Sequence, residues 1–394
     1  MTRAAEVHNL PVLDASQSAH SARVRASVAA AITARGGWLP FDEYLQLVLY
    51  APGLGYYSAG AQKFGAAGDF TTAPELSPLF GRCLARAAAP LLAATGGDVL
   101  EFGAGSGSLA ATLLPALAEL GAPPRHYLIL EVSAELRARQ QAALAGLPAA
   151  LAGRVRWLER PPATPLVGIV LANEVVDALP FDCFAIRPAG PVARGVALDA
   201  TGEFGWAEVP ADAPLCAELA RIEADIGATL PAGYASELCP AAGAWIATVA
   251  AALGQGAALL IDYGVGRREY YHAARSSGTL RCHYRHRAHS DPFLHPGMQD
   301  ITAWVDFTRL AEAAVESGLE VAGYCTQAAF LLANGIEADI AAGADERTRA
   351  RIGGAARQLL LPGEMGETFK VMALTRDWEQ GVNGFQLQDL RRLL

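Results

Sequence analysis

A chain of 394 residues is long enough for one large α/β domain with insertions or for two ordinary domains. With 52% hydrophobic and 18% charged residues it is no disordered chain, and its 40 Gly and 23 Pro show no fibre-forming period. A net charge of −9 opposes broad binding to phosphate backbones, so nucleic acid is not an expected partner.

Residues 1–20 are polar and aperiodic and read as a tail, and Ser21–Arg35 reads as a helix stopped by Gly36-Gly37. Phe41–Tyr50, ended by Ala51-Pro52-Gly53, and Glu75–Ala94 carry further helical patterns, which makes 1–95 a tail and helical cap. From 96 to 394 short apolar runs alternate with helical patterns. Asp98–Phe102, a helix over Ser108–Leu120, Tyr127–Glu131 and a helix over Ala134–Leu144 come first. Val155–Leu158, Gly168–Ala172, Ala257–Asp262, Leu319–Cys325 and Thr368–Leu374 complete seven candidate strands, the signature of βαβ units and a parallel sheet.

An insertion at about 181–240 separates the fourth and fifth strands, with Phe184–Arg187, Val192–Leu198 and Phe204–Val209 as short antiparallel strands. A second irregular stretch, about 263–303, is rich in aromatic and basic residues, and a loop of that length in a compact domain favours a functional role. Six cysteines without CxxC spacing give neither a zinc pattern nor a dense disulfide framework and fit a reducing compartment. Apolar runs too short to span a bilayer, and a start with Glu6 and Asp14 but no apolar core, point to a soluble cytoplasmic chain.

The strongest local signal is Glu101-Phe102-Gly103-Ala104-Gly105-Ser106-Gly107-Ser108, a strand entering a glycine turn that opens a helix. Its last glycine falls one position early for a nicotinamide fingerprint, and the E-x-G-x-G-x-G spacing resembles an S-adenosylmethionine site instead. That cofactor carries a cationic sulfonium, an amino acid end and a ribose. Glu101 suits the methionine end, and Glu131, ending the second strand, suits the ribose hydroxyls. The plainer alternative is a glycine turn that merely closes a βα unit, with Glu131 an exposed strand-end acid.

After the fourth strand comes Asn173-Glu174-Val175-Val176-Asp177, at the carboxyl edge where open α/β sheets bind ligands. If Asn173 begins a helical turn, Glu174 and Asp177 share a face and converge on a cation; otherwise they are acids that suit a helix dipole. His283, His286 and His289 lack a supporting carboxylate or Cys and stand among Arg281, Arg285 and Arg287, so no metal is expected. Arg281–His295 reads as a polar lid or acceptor-peptide surface, or as a solvated loop.

Gly68–Glu75 (GDFTTAPE), the Glu101–Leu109 turn, Ala172–Pro180, and Pro296–Thr302 followed by Val305-Asp306-Phe307 together resemble the MidA-like methyltransferases. These include a mitochondrial respiratory complex I assembly factor and bacterial relatives. The resemblance runs from about Leu39 to Val371 and keeps the motif order. It implies a class I fold, a Rossmann-like seven-stranded sheet with a helical cap and an inserted subdomain. It further implies S-adenosylmethionine as methyl donor and, by its mitochondrial members, arginine methylation of a partner such as a respiratory-complex subunit. Asp69, Phe70 and Thr71 become cofactor contacts beside Glu101, Gly103, Gly105, Gly107, Glu131 and Asn173, with Glu174 and Asp177 as acceptor-orienting acids. Rival readings are a cofactor-binding assembly protein without turnover and a methyltransferase of a small molecule, and a homodimer is among the states the sequence permits.

Overall fold

The computed structural model describes residues 10–58, 72–342 and 346–394. The described residues form two compact units, one from those within 1–70, 177–242 and 267–304 and the other from those within 71–176, 243–266 and 305–394.

The second unit grows from the alternation of apolar runs and helices. Its elements are α1 (Pro78–Thr95), β1 (Asp98–Phe102), α2 (Ser108–Glu119), β2 (Tyr127–Leu130), α3 (Ala134–Leu144), β3 (Val155–Leu158), β4 (Leu166–Asn173), β5 (Leu253–Val265), β6 (Glu320–Thr326) and β7 (Phe369–Arg376). The sheet order is β6-β7-β5-β4-β1-β2-β3, with β1 to β5 parallel and β7 antiparallel to both its neighbours. An eighth, two-residue strand, Val305–Asp306, runs parallel to the end of β5. This is the class I architecture that the family resemblance implies. The central strands are buried along almost their whole length, which is why β4 reads as a continuous run, Ile169-Val170-Leu171-Ala172, rather than an alternation. Leu84, Leu113, Ile169, Leu259 and Val371 lie in one apolar core. At one end of β4 the strands approach closely because glycine stands there: a Cβ on Gly168 would lie 2.0 Å from the Asp98 carbonyl oxygen.

The expected helix over Glu75–Ala94 is two helices, Ala73–Leu76 and α1, both in the second unit. Between them Ser77 is extended (φ −168°, ψ 152°), because the ring of Pro78 excludes the helical conformation from the residue before it. Its hydroxyl then accepts from the Leu79 amide at 3.3 Å and caps α1.

In the first unit the helix expected from Ser21 begins at Ala15, because Asp14 and Gln17 form a capping box, so part of the expected tail is helical. The Phe41–Tyr50 pattern is an α-helix, Phe41–Leu45, continued by a π-helical turn, Gln46–Tyr50. The inserted strands appear as Asp182–Arg187, Gly190–Leu198 and Phe204–Pro210, joined in one sheet by Leu39–Pro40 and Ala235–Leu238. The insertion also holds a helix, Ala213–Ile226, which sequence reading passed over. The stretch at 263–303 is more regular than expected: Arg281–Tyr284, Arg287–His289 and Asp300–Thr302 pair antiparallel. Val28, Phe41, Tyr44, Leu49, Phe181, Val196 and Ile301 form this unit's own core.

Candidate cofactor site

The site lies in the second unit, where β1, β2 and β4 end. Gly103, Gly105 and Gly107 have φ of 62°, 52° and 87°, a left-handed backbone that side chains resist, and Gly107 is the N-cap of α2. The turn is also closely packed. A Cβ on Gly103 would stand 3.1 Å from Val175 Cγ2, and one on Gly107 3.1 Å from Gln140 Cα.

Glu101, on β1, is buried, and the Tyr127 hydroxyl of β2 donates to its Oε2 at 2.7 Å. Burial pushes its carboxyl up to about 7; the Tyr127 hydrogen bond works against this, and the charge of Glu131 adds to it. Glu131 is the residue after β2 and is buried as well, so it is not an exposed strand-end acid. Its Oε1 accepts from the Ser133 amide at 2.8 Å and its Oε2 from Gln140 Nε2 at 3.0 Å. Burial again raises its proton affinity, and these donors oppose the rise.

Two neighbours escaped sequence reading. Gln140 is fully buried on α3, and it shares the inward stripe with Leu144 four residues on. A lone amide on that stripe is the signal that could have found it. Val132, directly after Glu131, is 82% exposed, an apolar surface left in water beside a buried carboxylate.

Asn173 closes β4, and its Nδ2 donates to Glu174 Oε1 at 3.0 Å. Its own Oδ1 is buried and finds no hydrogen-bond partner among the described residues. The helical turn considered for 173–177 does not form. Glu174 has φ 53°, its amide donates to the Ile261 carbonyl at 2.9 Å, and the Val176 amide donates to Asp262 Oδ2 at 3.0 Å. These tethers to β5 hold a left-handed bend instead of a helix, so Glu174 and Asp177 share no helical face. Asp177 belongs to the first unit and is buried there. In that unit burial, then the charges of Asp300 and Asp177, push the Tyr50 phenol well above its usual range, and Tyr57 donates to Asp300 Oδ1 at 2.7 Å.

Asp69, Phe70 and Thr71 lie outside the described residues. Among the described residues no three or more His, Cys, Asp and Glu gather into a metal-holding group, and no helix is long and apolar enough to cross a membrane. His283 is half-buried on the strand Arg281–Tyr284, where burial drives its pKa down to about 4, while Arg285 and His286 form the two-residue turn of the adjoining hairpin.

Glu101, Glu131 and the unmatched Asn173 oxygen are all acceptors around an approachable backbone turn. Such a set fits a ligand rich in ammonium and hydroxyl donors, as S-adenosylmethionine is, and opposes a pyrophosphate.

Known proteins agree with this chemistry. A protein of Burkholderia thailandensis, whose crystal structure contains S-adenosyl-homocysteine, is 46% identical with a TM-score of 0.93, covering 98% of this chain and 100% of that one. A native crystal structure from the same organism is 45% identical with a TM-score of 0.90 at the same coverage. The protein arginine methyltransferase NDUFAF7, mitochondrial, of Mus musculus is 29% identical over 380 residues, 86% of this chain and 81% of its own length. The Homo sapiens protein of that name is 29% identical over 385 residues, with 86% and 80% covered. A family model for S-adenosyl-L-methionine-dependent methyltransferases matches residues 83–325, more than half of the sequence, and the chain therefore belongs to that family, in its MidA-like branch.

Proposed function

We propose that this S-adenosylmethionine-dependent methyltransferase acts on an arginine side chain of a partner protein. The carrying observation is Glu174, held in a left-handed bend at the end of β4 while its neighbour Val175 packs against the glycine turn at Gly103. That bend offers a carboxylate beside the cofactor turn, and the curated relatives are named as protein arginine methyltransferases.

In this reading Glu101 takes the ammonium of the cofactor's methionine end, Glu131 accepts the ribose hydroxyls, and Val132 lies against the base. S-adenosylmethionine supplies a methyl group on a cationic sulfonium. The transfer is an in-line displacement, so the chain's task is to align the acceptor nitrogen and exclude water. Glu174 orients a charged guanidinium through paired hydrogen bonds, and the proton lost from the methylated nitrogen passes to a carboxylate or to water. Asp177 offers related chemistry within the first unit, where Asp300, Tyr50 and Tyr57 make acidic and aromatic surroundings suited to a cation.

The test is incubation of the purified chain with methyl-labelled S-adenosylmethionine and a bacterial protein extract, followed by hydrolysis and amino acid analysis. Label in ω-N-methylarginine is expected. Label in another amino acid or a small molecule retires the arginine reading, and cofactor binding without transfer to anything favours an assembly protein.

A further inference from the structure

We infer that Gln140 is a positioning residue of the methyltransferase, one that aims the Glu131 carboxylate at the ribose and ties it to the glycine turn. Gln140 is fully buried, yet every hydrogen-bonding group it shows inward is matched. Its Nε2 donates to Glu131 Oε2 at 3.0 Å and to the Gly105 carbonyl at 3.1 Å, and its Oε1 accepts from Trp157 Nε1 at 2.9 Å.

The direction of this chain is not arbitrary. An indole nitrogen can only donate, so Trp157 on β3 requires the amide oxygen to face it and turns both amide protons toward Glu131 and Gly105. One NH2 group thereby joins the carboxylate to the middle of the left-handed turn, whose Gly105 has φ 52°. The backbone of Gln140 also lies close to the turn, since a Cβ on Gly107 would stand 3.1 Å from its Cα. Ser133 holds the other carboxylate oxygen. With both oxygens held in place, the lone pairs that remain on the carboxylate can meet ribose hydroxyls. A glutamate at 140 would have the same shape but, once ionised, would lose its donors and set a second negative charge against Glu131.

The inference rests on the reading of Glu131 as the ribose partner, and the experiment separates the two. S-adenosylhomocysteine and its 2′-deoxyribose analogue are titrated calorimetrically into the full chain and into Glu131→Ala, Gln140→Leu and Gln140→Glu. Wild type should prefer the intact ribose by about tenfold or more, the scale of a hydrogen bond to a charged group. Glu131→Ala and Gln140→Leu should both lose that preference. If Gln140→Leu does not fold, Gln140→Glu decides. Its deficit against wild type should reach about tenfold at alkaline pH and shrink as the pH falls and the introduced carboxyl regains a donor proton. Should Glu131→Ala keep the preference, the ribose reading fails. Should Glu131→Ala lose it while Gln140→Leu keeps it, or the Gln140→Glu deficit stay constant with pH, the positioning role is overturned and the ribose reading stands.

Discussion

The hydroxyl of Tyr127 on β2 donates to Glu101 Oε2 on the neighbouring β1 at 2.7 Å, and both side chains are closed off from water. Burial is the larger influence and holds the Glu101 carboxyl up at about 7, above the 4.5 of an unperturbed glutamate. A group raised in this way binds more protons in the folded than in the unfolded chain between those values. Its contribution to stability is therefore full below about 4.5 and is lost as pH rises through about 7. Glu101→Gln should flatten that part of the profile, a difference on the order of 3 kcal/mol, read by urea unfolding at pH 5 and pH 8.

The same carboxylate is the proposed partner of the cofactor's ammonium, which it meets best when ionised. Affinity for S-adenosylhomocysteine should rise with pH through about 7. Tyr127→Phe removes the donor that holds the proton affinity down, so the midpoint of that rise should move to higher pH. A midpoint unchanged in Tyr127→Phe would show that Glu101 is not the titrating group.

Gly107→Ala should weaken cofactor binding while the chain still folds. The left-handed φ of 87° costs an alanine about 1–2 kcal/mol, and its Cβ would press on Gln140 Cα at 3.1 Å. Gly105→Val should be more severe, since a branched side chain at φ 52° stands where the backbone must approach the ligand. Calorimetry on variants with wild-type circular dichroism checks both, and undiminished affinity in Gly105→Val would contradict the assignment of the turn.

Glu174→Gln should leave cofactor affinity near wild type and slow single-turnover methylation of the identified acceptor by about 10 to 150-fold, the loss expected when one charged hydrogen bond to a cation is removed. Asp177→Asn, measured alongside, reports on the acidic surroundings of the first unit. Equal rates in both variants and wild type would reduce the two acids to structural roles.

Away from the site, Gly168→Ala should destabilise the second unit by about 1–3 kcal/mol, because the added methyl would lie 2.0 Å from the Asp98 carbonyl and could be relieved only by moving β4 from β1. The thermal midpoint should fall, and a rise would contradict the packing described for that end of the sheet.

The central sheet is legible in the sequence because strands buried on both faces must be short apolar runs, and Asp98–Phe102 and Val155–Leu158 match the observed strands to the residue. The glycine turn is legible too, since repeated left-handed backbone demands glycine. Polar residues with local jobs are harder to read. Asp14 moves a helix start by six residues through one capping box, and Ser77 breaks a helical pattern ahead of Pro78. Glu174 lies in a bend held by Ile261 and Asp262, more than eighty residues away, so no local pattern distinguishes it from a helical start. Gln140 is hidden for a related reason: its partners Gly105, Glu131 and Trp157 come from three separate strand ends.

The most direct measurement is a crystal structure of this chain with S-adenosylhomocysteine. Both ribose hydroxyls should lie within hydrogen-bond distance of the Glu131 carboxylate, the ammonium near Glu101, and the ligand along Gly103–Gly107. A ligand bound with its ribose away from Glu131, or with the glycine turn facing protein alone, would contradict this placement.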